Sequence, residues 1–223
     1  MWAYSLWWDF WNVPRRDGPD SSWFRKLKFL TVIDFLLQTI YFAFATLRAG
    51  LEALHGPPKK GEPRKGFIYA MDFAFFVSFG LGWTVALLFW GIYAIDRELV
   101  FPRALDSVIP SWLNHVIHTA PVLCSLADAW LTCHQRQRRS VGFKFATAFT
   151  AAYIASLLMW REIDGEWVYP ILSVLDWKGR GAFFLLGIAV SNSLYLLADF
   201  VNKLIWGNEI EPVSMSHKKK HKA

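Results

Sequence analysis

Three observations read the chain as an all-α, polytopic integral membrane helical bundle. It has 223 residues, of which 54% are hydrophobic, 17% aromatic and only 19% charged, a composition too apolar for a disordered chain. Apolar stretches recur at about the 20-residue length that crosses roughly 30 Å of hydrocarbon, whereas a soluble domain would divide its core among shorter amphipathic helices or strands. No Gly/Ser-rich linker divides the chain, so it reads as one compact domain. The net charge of +6 sits mostly in loops and tails. That suits the headgroups of membrane lipids and leaves no basic face for nucleic acid. The two cysteines, Cys124 and Cys133, build neither a disulfide framework nor a thiolate metal cage.

The first 22 residues form a tryptophan-rich stub containing Trp2, Tyr4, Trp7, Trp8, Phe10 and Trp11. Asp9 and Pro14 cut it too short to span, so an interfacial anchor in the headgroup layer is expected. It lacks the basic, apolar and small-residue succession of a signal peptide. The membrane domain, 23–207, contains five apolar stretches, roughly 29–48, 67–95, 110–131, 143–160 and 181–206, each long enough to cross. The segment 55–66, HGPPKKGEPRKG, reads as a solvated loop, and 208–223, ending HKKKHKA, as a disordered basic tail near anionic headgroups. Lys and Arg are more numerous on the carboxy-terminal side, which places the C-terminus in the cytoplasm by the positive-inside rule.

Polar groups inside spans are the informative exceptions, because an unpaired one is costly in hydrocarbon. Thr31, Asp34 and Gln38 fall on one face of the first span. The third carries Asn114, His115, His118 and Thr119, with Pro121 just beyond; the fifth carries Asn192, Ser193 and Asp199. With helices starting at Ser22 and Pro110, Thr31 and His118 both lie roughly 12–14 Å along parallel spans, and Asn192, counted from Gly181, roughly 17 Å. Pro121 leaves the Ile117 carbonyl without its helical donor and predicts a kink beside His118. A hydroxyl, an imidazole and an amide at matched depth suit nucleophilic acyl transfer. The structural alternatives are back-bonding of Thr31 to the preceding turn and a packing hydrogen bond from His118. A metal site is not expected: His55 and His134 fall on the opposite side of the membrane, His217 and His221 in the tail, and Asp34 is the only span carboxylate nearby.

These residues lie in runs with a family resemblance. The stretches LKFLTVIDFLLQTIYF (27–42), FWGIYAIDRELVFPRALDSVIPSWLNHVIHT (89–119), EWVYP (166–170) and SLYLLADFVNKLIWG (193–207) resemble the family of androgen-induced and androgen-dependent TFPI-regulating proteins. The resemblance covers most of 23–207 and includes loop residues that similarity between apolar helices would not reproduce. It implies a multi-pass membrane hydrolase, without cofactor, that cleaves fatty acid esters of hydroxy fatty acids with a threonine and a histidine. These fall on Thr31 in KFLTVID and His118 in NHVIHT. Family members usually carry a hydrophobic span before the threonine helix, where this chain has its tryptophan-rich stub.

The expected reaction has an ester substrate entering from the bilayer, Thr31 as nucleophile and His118 as general base. Asp34, Asn114, His115 and Asn192 are supporting candidates, and Arg97, Arg103, Arg161 or Arg180 would pair with a substrate carboxylate. The alternatives are a non-catalytic regulator that binds a lipid or partner helix and, with less to support it, a small transporter. An endoplasmic reticulum or plasma membrane location is expected.

Overall fold

The computed structural model of the protein describes residues 1–13, 23–56, 66–135 and 138–207. The expected cap Ser22, most of the 55–66 loop and the basic tail 208–223 lie outside the described residues. Eight α-helices are present among those described: α1 (Trp2–Asn12), α2 (Leu30–His55), α3 (Gly66–Ile95), α4 (Ser111–His118), α5 (Ala120–Leu131), α6 (Arg139–Asp164), α7 (Pro170–Val174) and α8 (Trp177–Trp206). Short 3-10 turns cover Trp23–Lys28, Arg97–Leu99 and Arg103–Leu105. The described residues form no strand, and the protein is an all-helical polytopic membrane bundle.

Four helices, α2, α3, α6 and α8, are each long and apolar enough to cross a membrane. The stretch expected as a third crossing is instead two helices, α4 and α5, meeting at Thr119 (φ −116°, ψ −43°). Pro121 is the cause: it sits at the start of α5, where its missing N–H costs nothing, but it cannot continue the hydrogen-bond ladder of α4. The kink the sequence anticipates there interrupts the helix for one residue, Thr119, whose N–H still donates to the His115 carbonyl at 2.8 Å, with His118 as the last residue of α4.

Helix α3 is the axis of the bundle. Of its most apolar 18 residues 61% are buried, against 17–22% in the other three long helices, and α2, α5 and α8 pack around it. Its Phe75, Phe76 and Phe79 form the main core with Tyr41, Met71, Ala129, Tyr195 and Ala198. At Gly82 a Cβ would come within 2.7 Å of both the Gln38 side chain and Pro121, so only glycine lets α2, α3 and α5 approach this closely. At Gly142 a Cβ would overlap the ring of Tyr195, 1.9 Å away, which fixes the seam between α6 and α8 in the same way.

The tryptophan-rich stub is helical and packs on the bundle: Trp2 stacks on Phe42 with ring centroids 5.7 Å apart, and Trp8 meets Trp112 edge-on at 5.2 Å. Lys26 Nζ donates to the Asp9 carboxylate (3.0 Å), the Asp9 carbonyl (3.1 Å) and the Val13 carbonyl (3.3 Å), tying α1 to the turn ahead of α2.

That turn corrects the helix start counted from Ser22, while the span itself begins where expected. Residues 23–28 form a 3-10 helix, and α2 proper begins at Leu30. In a 3-10 turn side chains three apart eclipse, so Arg25 and Lys28 both reach Asp164 at the end of α6, Lys28 at 3.0 Å. The ion pairs hold the tighter turn in place.

Candidate active site

Thr31 lies in the first turn of α2 and His118 at the end of α4. The N-cap residue, Phe29, offers no side-chain cap. Instead the hydroxyls of Tyr153 from α6 and Tyr169 before α7 each accept a hydrogen bond from the Leu30 N–H at 2.9 Å, and Tyr153 donates to the Lys28 carbonyl at 3.0 Å. These tyrosines take over the work of an N-cap and fix the backbone one residue before Thr31. Sequence reading gives them no role, although Tyr169 stands in the EWVYP run.

Thr31 Oγ1 and His118 Nε2 are 3.3 Å apart. The roles of the ring nitrogens follow from the other side of the ring. Nδ1 lies 3.0 Å from the Asn114 carbonyl and 2.9 Å from Asn114 Oδ1. A main-chain carbonyl only accepts, so Nδ1 carries the proton, and Nε2 presents its lone pair to the threonine hydroxyl. Phe89 stacks on the imidazole with centroids 3.5 Å apart and planes within 12°, and the histidine is buried. Ring, tautomer and orientation are therefore all set before any ligand arrives.

Back-bonding does not describe Thr31. Thr39 and Thr46 of the same helix donate to the carbonyls four residues earlier, each at 2.8 Å, and Thr84 of α3 does so at 2.7 Å. Thr31, at the helix start, turns to the histidine. Its N–H belongs to the first turn of α2, at the partially positive end of a 26-residue helix.

The pair opens on a cavity. About 1020 Å³, including its open mouth, is lined by Thr31, His118, Phe89, Phe101, Ile109 and Tyr169 among others, with Asp9, Arg25, Lys26 and Lys28 on its wall. A second cavity of about 870 Å³ also reaches Thr31 and runs between α3, α6 and α8 past Leu81, Val85, Phe149, Phe183 and Phe184.

The remaining sequence candidates divide. Asn114 is at the pair, on His118 Nδ1. Asp34 is fully buried one turn beyond Thr31, where Gln38 Nε2 donates to it at 3.0 Å and Ser78 donates to Gln38 Oε1 at 2.7 Å. That network joins α2 to α3. His115 faces away from the pair, stacked on Trp90 and 3.2 Å from Thr119 Oγ1. Asn192 donates to Thr147 at 3.0 Å and to the Ile188 carbonyl at 2.9 Å, linking α8 to α6 away from Thr31.

The four expected arginines are engaged elsewhere. Arg97 donates to Asp106 at 2.5 Å, a bond that holds its guanidinium above its ordinary pKa. Arg103 lies 3.6 Å from Glu98 and is largely exposed. Arg161 and Arg180 both sit over the Trp167 ring. None of the four lines either cavity. The cations that do, Arg25, Lys26 and Lys28, are missed by sequence reading, because they precede the span and look like topogenic charge. Among the described residues no group of three or more His, Cys, Asp or Glu could hold a metal ion.

Comparison with known proteins bears on this arrangement. The profile of the FAR-17a/AIG1-like protein family matches residues 1–203, tryptophan-rich stub included. The androgen-dependent TFPI-regulating protein of Rattus norvegicus is 35% identical over 189 residues, covering 84% of this chain and 80% of that one. The androgen-induced gene 1 protein of Homo sapiens is 33% identical over 203 residues, covering 89% and 83%. A membrane protein of Schizosaccharomyces pombe is 25% identical over 122 residues, 53% of each chain. No solved structure matches. With its profile matched over most of its length and relatives at this identity and coverage, the chain belongs to the FAR-17a/AIG1-like family.

Proposed function

We propose that the protein is a membrane-embedded lipid ester hydrolase that cleaves fatty acid esters of hydroxy fatty acids, with Thr31 as nucleophile and His118 as general base. The observation that carries this reading is the oriented pair, Thr31 Oγ1 3.3 Å from His118 Nε2, with Nδ1 anchored on Asn114. Nucleophile-to-base distances a little beyond 3.2 Å are usual before substrate binds.

The imidazole takes the threonine proton as Oγ1 attacks the ester carbonyl, and the first-turn N–H of Thr31 at the positive end of α2 supports the developing oxyanion. His118 then returns the proton to the leaving alkoxide, leaving an acyl-threonine. Water, deprotonated at the same nitrogen, breaks the acyl–Oγ1 bond and regenerates Thr31. The ester resemblance and the apolar cavities favour an acyl-chain substrate drawn from the bilayer. The same reading puts the protein in the endoplasmic reticulum or plasma membrane, C-terminus to the cytoplasm.

The test is labelling of the membrane-embedded protein with a serine/threonine-hydrolase phosphonate probe, beside hydrolysis of a fatty acid ester of a hydroxy fatty acid. Wild type should be labelled and active, and Thr31→Ala and His118→Ala should lose both at unchanged expression. Folded wild type that binds the lipid without labelling or turnover would make it a lipid-binding regulator.

A further inference from the structure

The two cavities meet at Thr31 and differ in the chemistry of their walls. Among the described residues, the first holds His118 and three cations, Arg25, Lys26 and Lys28, beside one carboxylate, Asp9. Among the described residues the second holds neither His118 nor any charged side chain. An ester bound at Thr31 must place one half in each, and two independent considerations choose the same orientation. The proton that the imidazole accepts has to reach the departing alkoxide, so the alcohol half lies on the side where His118 stands. The only half that bears a carboxylate is the hydroxy acid, which is that same alcohol half, and its charge is stabilised beside cations and costly against an apolar wall.

We infer that Thr31 divides the substrate: the acyl chain occupies the uncharged cavity between α3, α6 and α8, and the hydroxy-acid half lies in the basic cavity with its carboxylate toward Lys28 and Arg25. The inference rests on the hydrolase reading above and replaces the expectation that Arg97, Arg103, Arg161 or Arg180 takes the carboxylate. Lys28 and Arg25 already share Asp164. Beside the partners they already have, their positive charges favour a substrate carboxylate on this wall over the other. Lys26 directs three donors to α1. In the first step the Thr31 Oγ1–acyl bond forms in the uncharged cavity as the acyl–alkoxide bond breaks. The hydroxy fatty acid, protonated by His118, leaves through the basic cavity, and water then releases the fatty acid from the other.

The experiment compares kcat/KM of the reconstituted full chain for one ester presented as the carboxylic acid and as its methyl ester at that carboxylate. Losing a charge-assisted contact should lower kcat/KM for the methyl ester about 10- to 100-fold, mainly through KM. Lys28→Met should narrow this preference and Lys28→Arg restore it. On the other side, a Cβ at Gly187, which lines the acyl cavity, meets nothing within 4 Å, so there is room for a side chain to start there and Gly187→Leu should narrow that cavity. It should shift preference toward shorter acyl chains without altering the preference for the acid. Equal turnover of acid and methyl ester, or a Gly187→Leu effect on the hydroxy-acid chain instead, would overturn the orientation alone. No turnover of either form by folded protein would overturn the hydrolase reading itself.

Discussion

Among the described residues two histidines, His118 and His134, are buried in the bundle, and they do opposite things. Near the start of α2, His118 has one nitrogen fixed by Asn114 and the other facing a hydroxyl at the wall of a cavity. Toward the other end, His134 lies with Nδ1 3.4 Å from Asp72 and Nε2 3.5 Å from Asp128. Its ring stacks on Phe75 at 3.8 Å, and its main-chain N–H and carbonyl are held by the Asn202 side chain at 3.3 and 2.8 Å. Arg48 reaches Asp72 at 2.9 Å and Glu52 at 2.7 Å, and Tyr41 donates to Asp128. This cluster fastens α2, α3, α5 and α8 together, and His134 lines neither of the two cavities at Thr31. Burial therefore says little about what a histidine does. What separates the two is whether a nitrogen is left to a group that can react.

The comparison breaks most sharply at the nucleophile and base. Thr31→Ala and His118→Ala should lower kcat by about 10⁴-fold or more, as loss of either member of a nucleophile–base pair does, with thermal unfolding in detergent unchanged. Arg48→Met should do the reverse. It takes the guanidinium away from the buried Asp72 and from Glu52 and should destabilise the protein by about 3–5 kcal/mol, seen as loss of monodisperse protein on mild heating, while molecules still folded retain their turnover. Asn114→Ala sharpens the first half of the comparison: with Nδ1 no longer held by the side chain, kcat should fall about 10- to 100-fold with KM little changed. If instead KM rises and kcat holds, Asn114 binds substrate and does not orient the histidine. The smallest effect belongs to Tyr169→Phe, which leaves the Leu30 N–H with Tyr153 alone. A loss of about 1 kcal/mol, and a kcat change of a few-fold, would mark a helix-start contact that steadies Thr31.

The contrast between the two regions also explains what could be read in advance. Apolar stretches of bilayer length are a property of the chain, so α2, α3, α6 and α8 are visible in the sequence. Thr31 and His118 are visible too, through matched depth, even though α2 begins at Leu30 and not near Ser22. The 3-10 turn that upsets the count is set by Asp164, more than a hundred residues away. Asn114 is legible because it shares a helical face with His118, four residues on. Asp34 and Asn192 have the same polar character but spend it elsewhere: Asp34 on Gln38, one turn on along the same helical face, and Asn192 on Thr147, a partner on another helix that no spacing rule names. The Arg48–Asp72–His134–Asp128 cluster is drawn from three separated parts of the chain, none of which is unusual by itself. Pro121 predicts distortion, but whether a proline bends or ends a helix depends on what packs beside it, here Gly82 and Gln38.

Helix α8 shows what this architecture means for interpreting natural sequence variants. Its Leu185 is 69% exposed while Asn202 is 0% exposed. In a soluble protein the first would be a surface flaw and the second a misplaced polar residue, and exchanging their characters would look like an improvement. Here Leu185 stands on the outer face of a spanning helix, away from its ends, and Leu185→Arg would impair insertion before folding begins. Asn202→Leu, by any hydrophobicity score a benign change in a membrane helix, would release the main chain at His134 and loosen the cluster that fastens four helices. Scoring rules trained on water-soluble folds would rank the two in the wrong order.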